Sequence, residues 1–238
     1  MEFNRFKLLI GDNFNKIKDL SVLILGVGGV GGYVAESITR CGVSNITLID
    51  SDTVDITNIN RQIIALHSTI GKKKVDVLKN RIQDINKECI VETFDLFYNS
   101  DNKDIIFNKK YDYVIDCCDT IKSKEIIIRE CIKRNIKIIS SMGAGYKLDP
   151  SKIKIDKLKK TNYDKLAKIL RYNLRDSKEC LEIPVVYSTE IVNKKSDVIA
   201  SNSYIPAIFG LYITSYIIKE IVNLWKENIY QQYLLLYY

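Results

Sequence analysis

Ser21-Val-Leu-Ile-Leu-Gly-Val-Gly-Gly-Val-Gly31 is the stretch that decides the fold of this chain. Its first five residues form a short apolar run, typical of a buried strand in a parallel sheet, and a helical pattern follows at residues 30–40. Glycines at such a turn let the backbone approach a phosphate group closely. The free N–H groups at the start of the helix favour the same anion. We therefore predict a nucleotide site at the four glycines of the turn, Gly26, Gly28, Gly29 and Gly31.

A second apolar run, Ile46-Thr-Leu-Ile49, leads to a carboxylate at Asp50. It follows the glycines by about 20 residues, the spacing at which an acidic side chain accepts hydrogen bonds from ribose hydroxyls. We assign Asp50 and the nearby Asp52 to the nucleotide site. This fingerprint indicates a nucleotide but not its chemistry, since an NAD-dependent dehydrogenase has it as well. Glycines that only allow close packing of a helix on a strand are the structural alternative.

The segment after the second strand separates adenylation from hydride transfer. It contains Asn58, Arg61 and Gln62 within six residues, and Lys74 opens the next helical pattern. A guanidinium and an ammonium neutralise the charge that develops on departing pyrophosphate, whereas a hydride-transferring enzyme expels none. We therefore expect ATP, with Arg61 and Lys74 as catalytic residues. A solvated basic surface is the alternative for both, most of all for Lys74, which ends a run of three lysines.

The fourth predicted strand ends in Asp116-Cys-Cys-Asp119. Carboxylates at the carboxyl ends of parallel strands face the ligand crevice. Magnesium favours carboxylates combined with phosphates, so we predict that Asp119 holds Mg²⁺ and takes part in catalysis. The alternative for Asp116 or Asp119 is a cap on the following turn.

Strand and helix patterns alternate along the chain, which predicts an α/β, Rossmann-like, mostly parallel sheet with helices on both faces. In the first part we predict strands at 21–25, 46–49, 90–94, 113–115 and 136–139, and helices at 30–40, 75–85 and 124–134. The less regular later part has predicted strands at 153–155 and 185–187, and helices at 164–175 and 205–225.

No linker separates these parts, so we predict one domain of 238 residues. It consists of an N-terminal arm at 1–20, a nucleotide-binding core at 21–145, and an elaborated half with a closing helix at 146–238.

Amino-acid composition gives only general information on the partners and the location of the protein. The net charge of +7 permits an anionic partner such as nucleic acid, but a general excess of lysine has the same effect. Six cysteines without a C-x-x-C pair disfavour a zinc ribbon, and with no signal peptide expected they indicate reduced thiols in a cytoplasmic protein. Residues 199–218 are uncharged, yet Asn202, Ser203, Pro206 and Gly210 favour a buried core helix over a membrane span.

The predicted helix at 164–175 has one basic and one apolar side. Its basic side consists of Lys165, Lys168, Arg171 and Arg175. Its apolar side consists of Leu166, Ile169, Leu170 and Leu174. A basic stripe of this kind could follow a nucleic-acid backbone, and a solvated helix face would look identical, so both interpretations stay open.

Together these motifs resemble the ubiquitin-activating-enzyme-like (ThiF/MoeB-like) adenylyltransferase superfamily. The resemblance covers residues 26–119 and extends to Asn4-Arg-Phe-Lys-Leu-Leu-Ile-Gly11. It implies a homodimer in which Arg5 reaches into the ATP site of the partner. Within the superfamily the chain is more similar to the tRNA threonylcarbamoyladenosine dehydratases. The most specific elements of that likeness are Gly143-Ala-Gly-Tyr-Lys-Leu-Asp-Pro150 and Val186-Tyr-Ser-Thr-Glu190.

This likeness implies an ATP-dependent, adenylate-forming dehydration of N6-threonylcarbamoyladenosine in tRNA. The threonyl carboxylate becomes an acyl-adenylate, and the carbamoyl group then closes a ring as AMP leaves. Because ring closure is intramolecular, no protein nucleophile is required. Cys180, flanked by acidic residues, is accordingly not expected to be a nucleophile, and His67 is expected at the surface. Sulfur-transfer proteins are left open as partners.

Three other functions are compatible with parts of this sequence. An adenylyltransferase acting on the C-terminal carboxylate of a ubiquitin-like sulfur carrier is the main alternative, and the missing C-x-x-C pairs count against it. An NAD-dependent oxidoreductase is disfavoured by Arg61, Lys74 and Asp119. A non-catalytic scaffold is disfavoured by the apparently complete set of ATP residues.

Overall fold

The computed structural model describes residues 2–192 and 198–222. The strands are β1 (Ser21–Leu25), β2 (Asn45–Ile49), β3 (Ile90–Phe94), β4 (Tyr113–Asp116), β5 (Lys137–Ser141), β6 (Ile153–Lys157) and β7 (Pro184–Ser188). The helices are α1 (Asn4–Ile10), α2 (Asn13–Lys18), α3 (Gly31–Arg40), α4 (Lys74–Ile85), α5 (Ile121–Lys133), α6 (Lys165–Asn173), α7 (Lys178–Leu181) and α8 (Ile205–Val222).

All seven strands belong to one sheet, in the order β3-β2-β1-β4-β5-β7-β6. Six of them run parallel, and the edge strand β6 pairs antiparallel with β7. Central Val22 lies opposite Ile46 on one side and Tyr113 on the other. The strand order reverses between β1 and β4, which is where an open α/β sheet binds its ligand. The predicted Rossmann-like fold is therefore confirmed.

Apolar cores fill both faces of the sheet, as expected for strands that are buried on both sides. Val22 and Ile24 point to the face covered by α3, α4 and α8. Leu23 and Leu25 point to the face covered by α5, α6 and α7. The alternating side chains of β1 thus anchor the glycine turn from both sides of the sheet.

The predicted elements exist, and their boundaries differ mostly by a few residues. The predicted helix at 164–175 corresponds to α6, which ends two residues earlier, at Asn173, and the separate short helix α7 that follows was not predicted. A polar cap begins each helix: the Asp164 carboxylate accepts from the Ala167 N–H at 2.9 Å at the start of α6, and the Ser177 hydroxyl accepts from the Cys180 N–H at 3.3 Å at the start of α7. The last three residues of the predicted helix at 205–225 lie outside the described part of the chain.

Helix α8 is long and apolar enough to cross a membrane by length and composition, and it is the one such helix in the described residues. Its buried side nevertheless faces α3, where a Cβ on Gly210 would lie 2.7 Å from the Val30 carbonyl oxygen. Ile205, Phe209 and Ile213 on that side are fully buried. This packing agrees with the core helix expected for the region.

Candidate active site

The glycine turn connects β1 to α3 and is shaped by its close contacts. Gly26 has a φ of +83°, and a Cβ there would lie 2.8 Å from the backbone nitrogen of Cys118. A Cβ on Gly31 would lie only 1.9 Å from the Gly26 carbonyl oxygen. Any larger residue at either position would displace backbone. These two glycines therefore allow the helix start to sit directly against the end of β4.

Gly28 and Gly29 face side chains instead of backbone. A Cβ on Gly28 would lie 3.5 Å from the Gln62 amide nitrogen, and a Cβ on Gly29 would lie 3.5 Å from Arg61 Cγ. The structure thus brings the glycine turn together with two of the predicted ATP residues, although they are more than 30 residues apart in sequence.

Asp50 anchors the turn from the end of β2. Its Oδ2 accepts from the Val27 N–H at 2.8 Å, and its Oδ1 accepts from the Asp52 N–H at 2.9 Å. Burial raises the pKa of this carboxyl, against the opposing effect of the two backbone donors. The carboxylate lies directly against the glycine turn, at the position predicted for ribose binding.

Lys74 is the first residue of α4 and is only 5% exposed. Its Nζ donates to Asp52 Oδ2 at 2.6 Å, while its backbone N–H donates to the Asp52 carbonyl at 3.0 Å. Lys72 and Lys73 are exposed. A solvated basic surface is therefore the wrong interpretation for Lys74, the one lysine of the three that points inward toward the predicted nucleotide residues.

Asn58 and Arg61 lie on the short segment that follows Asp55. The Asn58 side chain is buried and its Oδ1 accepts from the Asp55 N–H at 3.1 Å, so part of its role is to cap a 3₁₀ turn. Arg61 is half-buried, and its guanidinium donates to the Thr57 carbonyl at 3.0 Å and to Asn60 Oδ1 at 2.9 Å.

Gln62 supplies an independent sign of a bound group. Its side chain is 7% exposed, and its Oε1 accepts no hydrogen bond from the residues that the structure describes. Buried acceptors are nearly always paired. Because phosphate oxygens only accept, the missing partner has to be a hydroxyl, an amine or a water. A nucleotide lying along the glycine turn offers such donors.

The two carboxylates at the end of β4 differ sharply. Asp119 is exposed, in the turn that leads to α5. Asp116 is fully buried: its Oδ2 lies 3.0 Å from the Lys124 ammonium, and its Oδ1 accepts from the Cys118 N–H at 3.2 Å. Asp116 therefore caps and fixes the turn, which is the alternative interpretation given for it above, and Asp119 is left as the carboxylate available to a ligand.

Lys124 is a residue that the sequence did not reveal. Burial opposes its charge, but the Asp116 carboxylate more than compensates and raises the pKa of the ammonium. Its remaining bonds go to Ser140 Oγ at 3.3 Å and the Ser141 carbonyl at 2.7 Å. The sequence could have shown that Lys124 is buried, because it lies on the same apolar side of α5 as Ile127, Ile128 and Cys131.

Two loops beyond the carboxyl ends of β5 and β7 are tied together next to this crevice. The Glu190 carboxylate accepts from the N–H groups of Leu148 and Asp149, each at 2.9 Å. Buried Lys147 donates to the Glu190 carbonyl at 2.8 Å, and burial lowers the pKa of this lysine. The two motifs that the sequence offered only through resemblance thus form one hydrogen-bonded unit.

The four residues of the predicted basic stripe differ in their exposure. Lys165 and Lys168 are exposed on α6, but Arg171 is half-buried and donates to the Thr161 hydroxyl. Arg175 lies beyond the helix end, with its guanidinium 4.0 Å above the Tyr172 ring. Ile169, predicted on the apolar side, is 42% exposed. The four residues therefore do not form a continuous stripe, because Arg171 turns toward Thr161 and Arg175 lies beyond the end of α6.

Three further residues of interest lie outside the crevice. Arg5 is exposed on α1. His67 is exposed at the first position of a short 3₁₀ turn, as expected. Cys180 is buried in α7 among apolar residues, so it lacks the exposure that a nucleophilic thiol needs.

Magnesium would be held here by a carboxylate and the nucleotide together. Within residues 2–192 and 198–222, no three His, Cys, Asp or Glu side chains form a cluster that could hold a metal ion. Mg²⁺ commonly binds through one or two carboxylates plus substrate phosphates. The donor set at the end of β4, with the single exposed carboxylate of Asp119, fits that arrangement.

Comparison with known proteins agrees with the geometry. Residues 3–237 match the model of the ThiF family. The chain is 38% identical to the tRNA threonylcarbamoyladenosine dehydratase of Bacillus subtilis, over 93% of this chain and 95% of that protein. It also superposes on crystal structures of E. coli tRNA N6-threonylcarbamoyladenosine dehydratase, TcdA. The complex with ATP has a TM-score of 0.88 and 34% identity, covering 93% of this chain and 94% of the other. The complex with AMP has the same TM-score and coverage, and 35% identity.

Proposed function

The chain belongs to the ThiF family, and from its similarity to tRNA threonylcarbamoyladenosine dehydratases over nearly its whole length we infer that it is an ATP-dependent enzyme of that kind. The observation that carries this conclusion is the match over 93% of the chain to an enzyme of that name solved with ATP. The substrate is N6-threonylcarbamoyladenosine in tRNA, and ATP binds in the crevice at the glycine turn. The similarity to dehydratases covers 93% of this chain, whereas that to adenylyltransferase and sulfurtransferase proteins covers 55–56%, which favours this function over activation of a sulfur-carrier protein.

We propose the following residue roles in the first step. The threonyl carboxylate attacks the α-phosphorus of ATP, the bond to the β-phosphate breaks, and pyrophosphate leaves. Backbone N–H groups of the glycine turn and the start of α3 hold the phosphates. Arg61 and Lys74 neutralise the charge that develops on the leaving pyrophosphate. Asp50 positions the ribose, while Asp52, Asn58 and Gln62 complete the nucleotide site.

In the second step the carbamoyl nitrogen attacks the activated carbonyl carbon of the same side chain. The bond to AMP breaks, a proton is lost from nitrogen, and a five-membered ring remains. The net change is the loss of one water. Both reacting groups are already joined, so the effective concentration is high and the protein mainly has to orient them. None of the six cysteines is exposed, and the proposed reaction needs no thiol.

We propose that Asp119 holds Mg²⁺ together with the ATP phosphates. The ion would supply charge neutralisation at the triphosphate. The buried Asp116–Lys124 pair fixes the turn in which Asp119 lies, so the carboxylate is presented from a rigid position.

We propose a homodimer in which Arg5 completes the ATP site of the partner. Support comes from α1, where Leu8 is 87% and Leu9 is 79% exposed next to Arg5. Two adjacent leucines exposed to this degree are compatible with a contact to another chain. In this scheme residues 1–20 are the crossing arm, 21–145 the nucleotide core and 146–238 the part that faces the substrate.

We propose that tRNA approaches along the exposed basic residues of α6, with Lys165 and Lys168 in direct contact and Arg171 and Arg175 at its edges. The arrangement supports phosphate contacts, which position RNA without reading its sequence. A cytoplasmic location follows from a tRNA substrate. A role for sulfur-transfer proteins as partners stays a prediction.

A pyrophosphate-release assay tests the function. The protein is offered ATP and Mg²⁺ with tRNA carrying the modified adenosine, with unmodified tRNA, or with a sulfur-carrier protein. Release is expected only with modified tRNA, and mass spectrometry of the digested tRNA should show a nucleoside lighter by one water. Release with the carrier protein, or none with modified tRNA, would contradict the assignment.

A further inference from the structure

Asn60 connects the nucleotide segment to the second half of the chain. Its Oδ1 accepts from the Arg61 guanidinium at 2.9 Å, and its Nδ2 donates to the Ser201 carbonyl at 3.1 Å. The two partners are 140 residues apart in sequence. One exposed side chain thus contacts both the predicted pyrophosphate arginine and the loop that leads into α8.

The Ser201 loop is in turn bonded to the loop after β5. Asn202 Nδ2 donates to the Lys147 carbonyl at 2.8 Å, and the Tyr146 N–H donates to the Ala200 carbonyl at 2.8 Å. Glu190 holds the same β5 loop through Leu148 and Asp149. Hydrogen bonds at Ala200 and Asn202, which flank Ser201 in the chain, therefore extend the connection from Arg61 and Asn60 to residues 146–149.

This bridge needs a side chain that can both accept and donate a hydrogen bond. A guanidinium has only donors and a backbone carbonyl only accepts, so the residue between them has to accept on one side and donate on the other. Asparagine does both with one planar group. Aspartate keeps the acceptor but has no donor, and alanine has neither. This difference allows the two halves of the bridge to be tested separately.

We propose that Asn60 is a positioning residue that couples ATP binding to the loops that receive the modified nucleotide. The proposal rests on the proposed function, because it takes Arg61 as a phosphate ligand and residues 146–149 and 198–204 as the substrate side. ATP that orders Arg61 also orders Asn60 and, through Ser201, the substrate loops. By thermodynamic linkage, tRNA and ATP then strengthen the binding of each other by the same factor.

The test measures the affinity for modified tRNA with and without α,β-methylene-ATP and Mg²⁺, an analogue that cannot transfer AMP. The wild-type protein is expected to bind tRNA about fivefold or more tightly when the analogue is present. Asn60→Ala should reduce this ratio to near one, while affinity for the analogue alone changes by less than about twofold. A wild-type ratio of one, or an unchanged ratio in Asn60→Ala, would overturn the proposal.

Two further variants sharpen the result. Asn60→Asp keeps the acceptor for Arg61 but cannot donate to Ser201, so its ratio should also fall to near one; full retention would show that the Ser201 hydrogen bond is not used. Asn102→Ala is the matched control, because its amide also donates to a backbone carbonyl, that of Phe97 at 2.8 Å, and accepts from the Asn99 N–H at 2.9 Å. It should keep the wild-type ratio.

Hydrogen exchange gives a second readout and checks folding. The analogue should slow exchange at residues 145–149 and 198–204 in the wild-type protein but not in Asn60→Ala, while amides of β1 stay equally protected in both. Slowing in the variant equal to that in the wild type would also contradict the coupling. Failure of the proposed function is read separately, as absence of pyrophosphate release from the wild-type protein with ATP and modified tRNA.

Discussion

Lys72, Lys73 and Lys74 are chemically identical but differ in their surroundings. Only Lys74 is buried, with its ammonium 2.6 Å from Asp52. We expect Lys74→Ala to reduce pyrophosphate release by about 10²–10³-fold, the usual effect when one preorganised charge-stabilising group is removed. Lys72→Ala, in the same run but exposed, should stay within about twofold in the same assay. Comparable reductions in both variants would mean that the lysines act only through general basic charge.

Substitution of Lys124 tests whether the buried Lys124–Asp116 ion pair stabilises the turn that contains Asp119. Lys124→Met leaves the Asp116 carboxylate buried without its partner and should lower the free energy of unfolding by about 3–5 kcal/mol. Lys122→Met, on the exposed side of the same helix, should change it by less than about 0.5 kcal/mol. Urea unfolding followed by circular dichroism measures both. Adding Asp116→Asn to Lys124→Met should recover part of the stability, and no recovery would show that the ion pair is not the cause.

At the scale of single residues, the sequence predicted the groups whose spacing is local and missed those defined by distant partners. Asp50 directly follows the end of a recognisable strand and Lys74 opens a recognisable helix, and the structure places both beside Asp52. The orphan acceptor of Gln62 and the Lys124–Asp116 pair depend on strands and loops brought together by the fold. No periodicity within a single segment predicts such pairings.

Secondary structure elements were predictable where a period was clear. The central strand β1 has a continuous apolar run, and α4 has apolar residues at regular helical spacing. The antiparallel direction of β6 was not predictable, because it depends on pairing with β7, about 30 residues further along the chain. The short helix α7 was not predicted, because its four residues are too few to show a helical period and its start depends on the cap at Ser177.

Helix α8 supports the glycine turn through its packing against α3. Gly210→Val would place a side chain against the Val30 carbonyl, which a Cβ alone approaches to 2.7 Å. We expect the free energy of unfolding to fall by about 1–3 kcal/mol from overpacking, and ATP to bind more weakly because the start of α3 is displaced. Ser215→Val, on the exposed side of the same helix, is the control and should leave ATP affinity unchanged in calorimetry. Equal ATP affinity in the two variants would contradict the supporting role.

At the scale of the whole molecule, charge on α6 should be visible in the salt dependence of tRNA binding. Lys165→Glu with Lys168→Glu should weaken binding and flatten the plot of log affinity against log salt, by about 0.7–0.9 for each tRNA phosphate that is no longer neutralised by a lysine. Lys87→Glu with Lys110→Glu makes the same change in net charge at the amino ends of β3 and β4, opposite the crevice. A similar effect of both pairs would mean that net charge, and not the α6 surface, governs binding.

The proposed dimer predicts that each active site is shared, with Arg5 and Arg61 coming from different chains. Arg5→Ala and Arg61→Ala should each be nearly inactive. Mixed after reversible dissociation, they form heterodimers with one intact and one doubly defective site, so about a quarter of wild-type pyrophosphate release should return. Arg61→Ala mixed with Lys74→Ala is the matched control and should regain nothing, because both residues serve the site of their own chain. Heterodimers confirmed by native mass spectrometry that stay inactive in the first mixture would rule out a crossing Arg5. A monomer in sedimentation would rule out the shared site altogether.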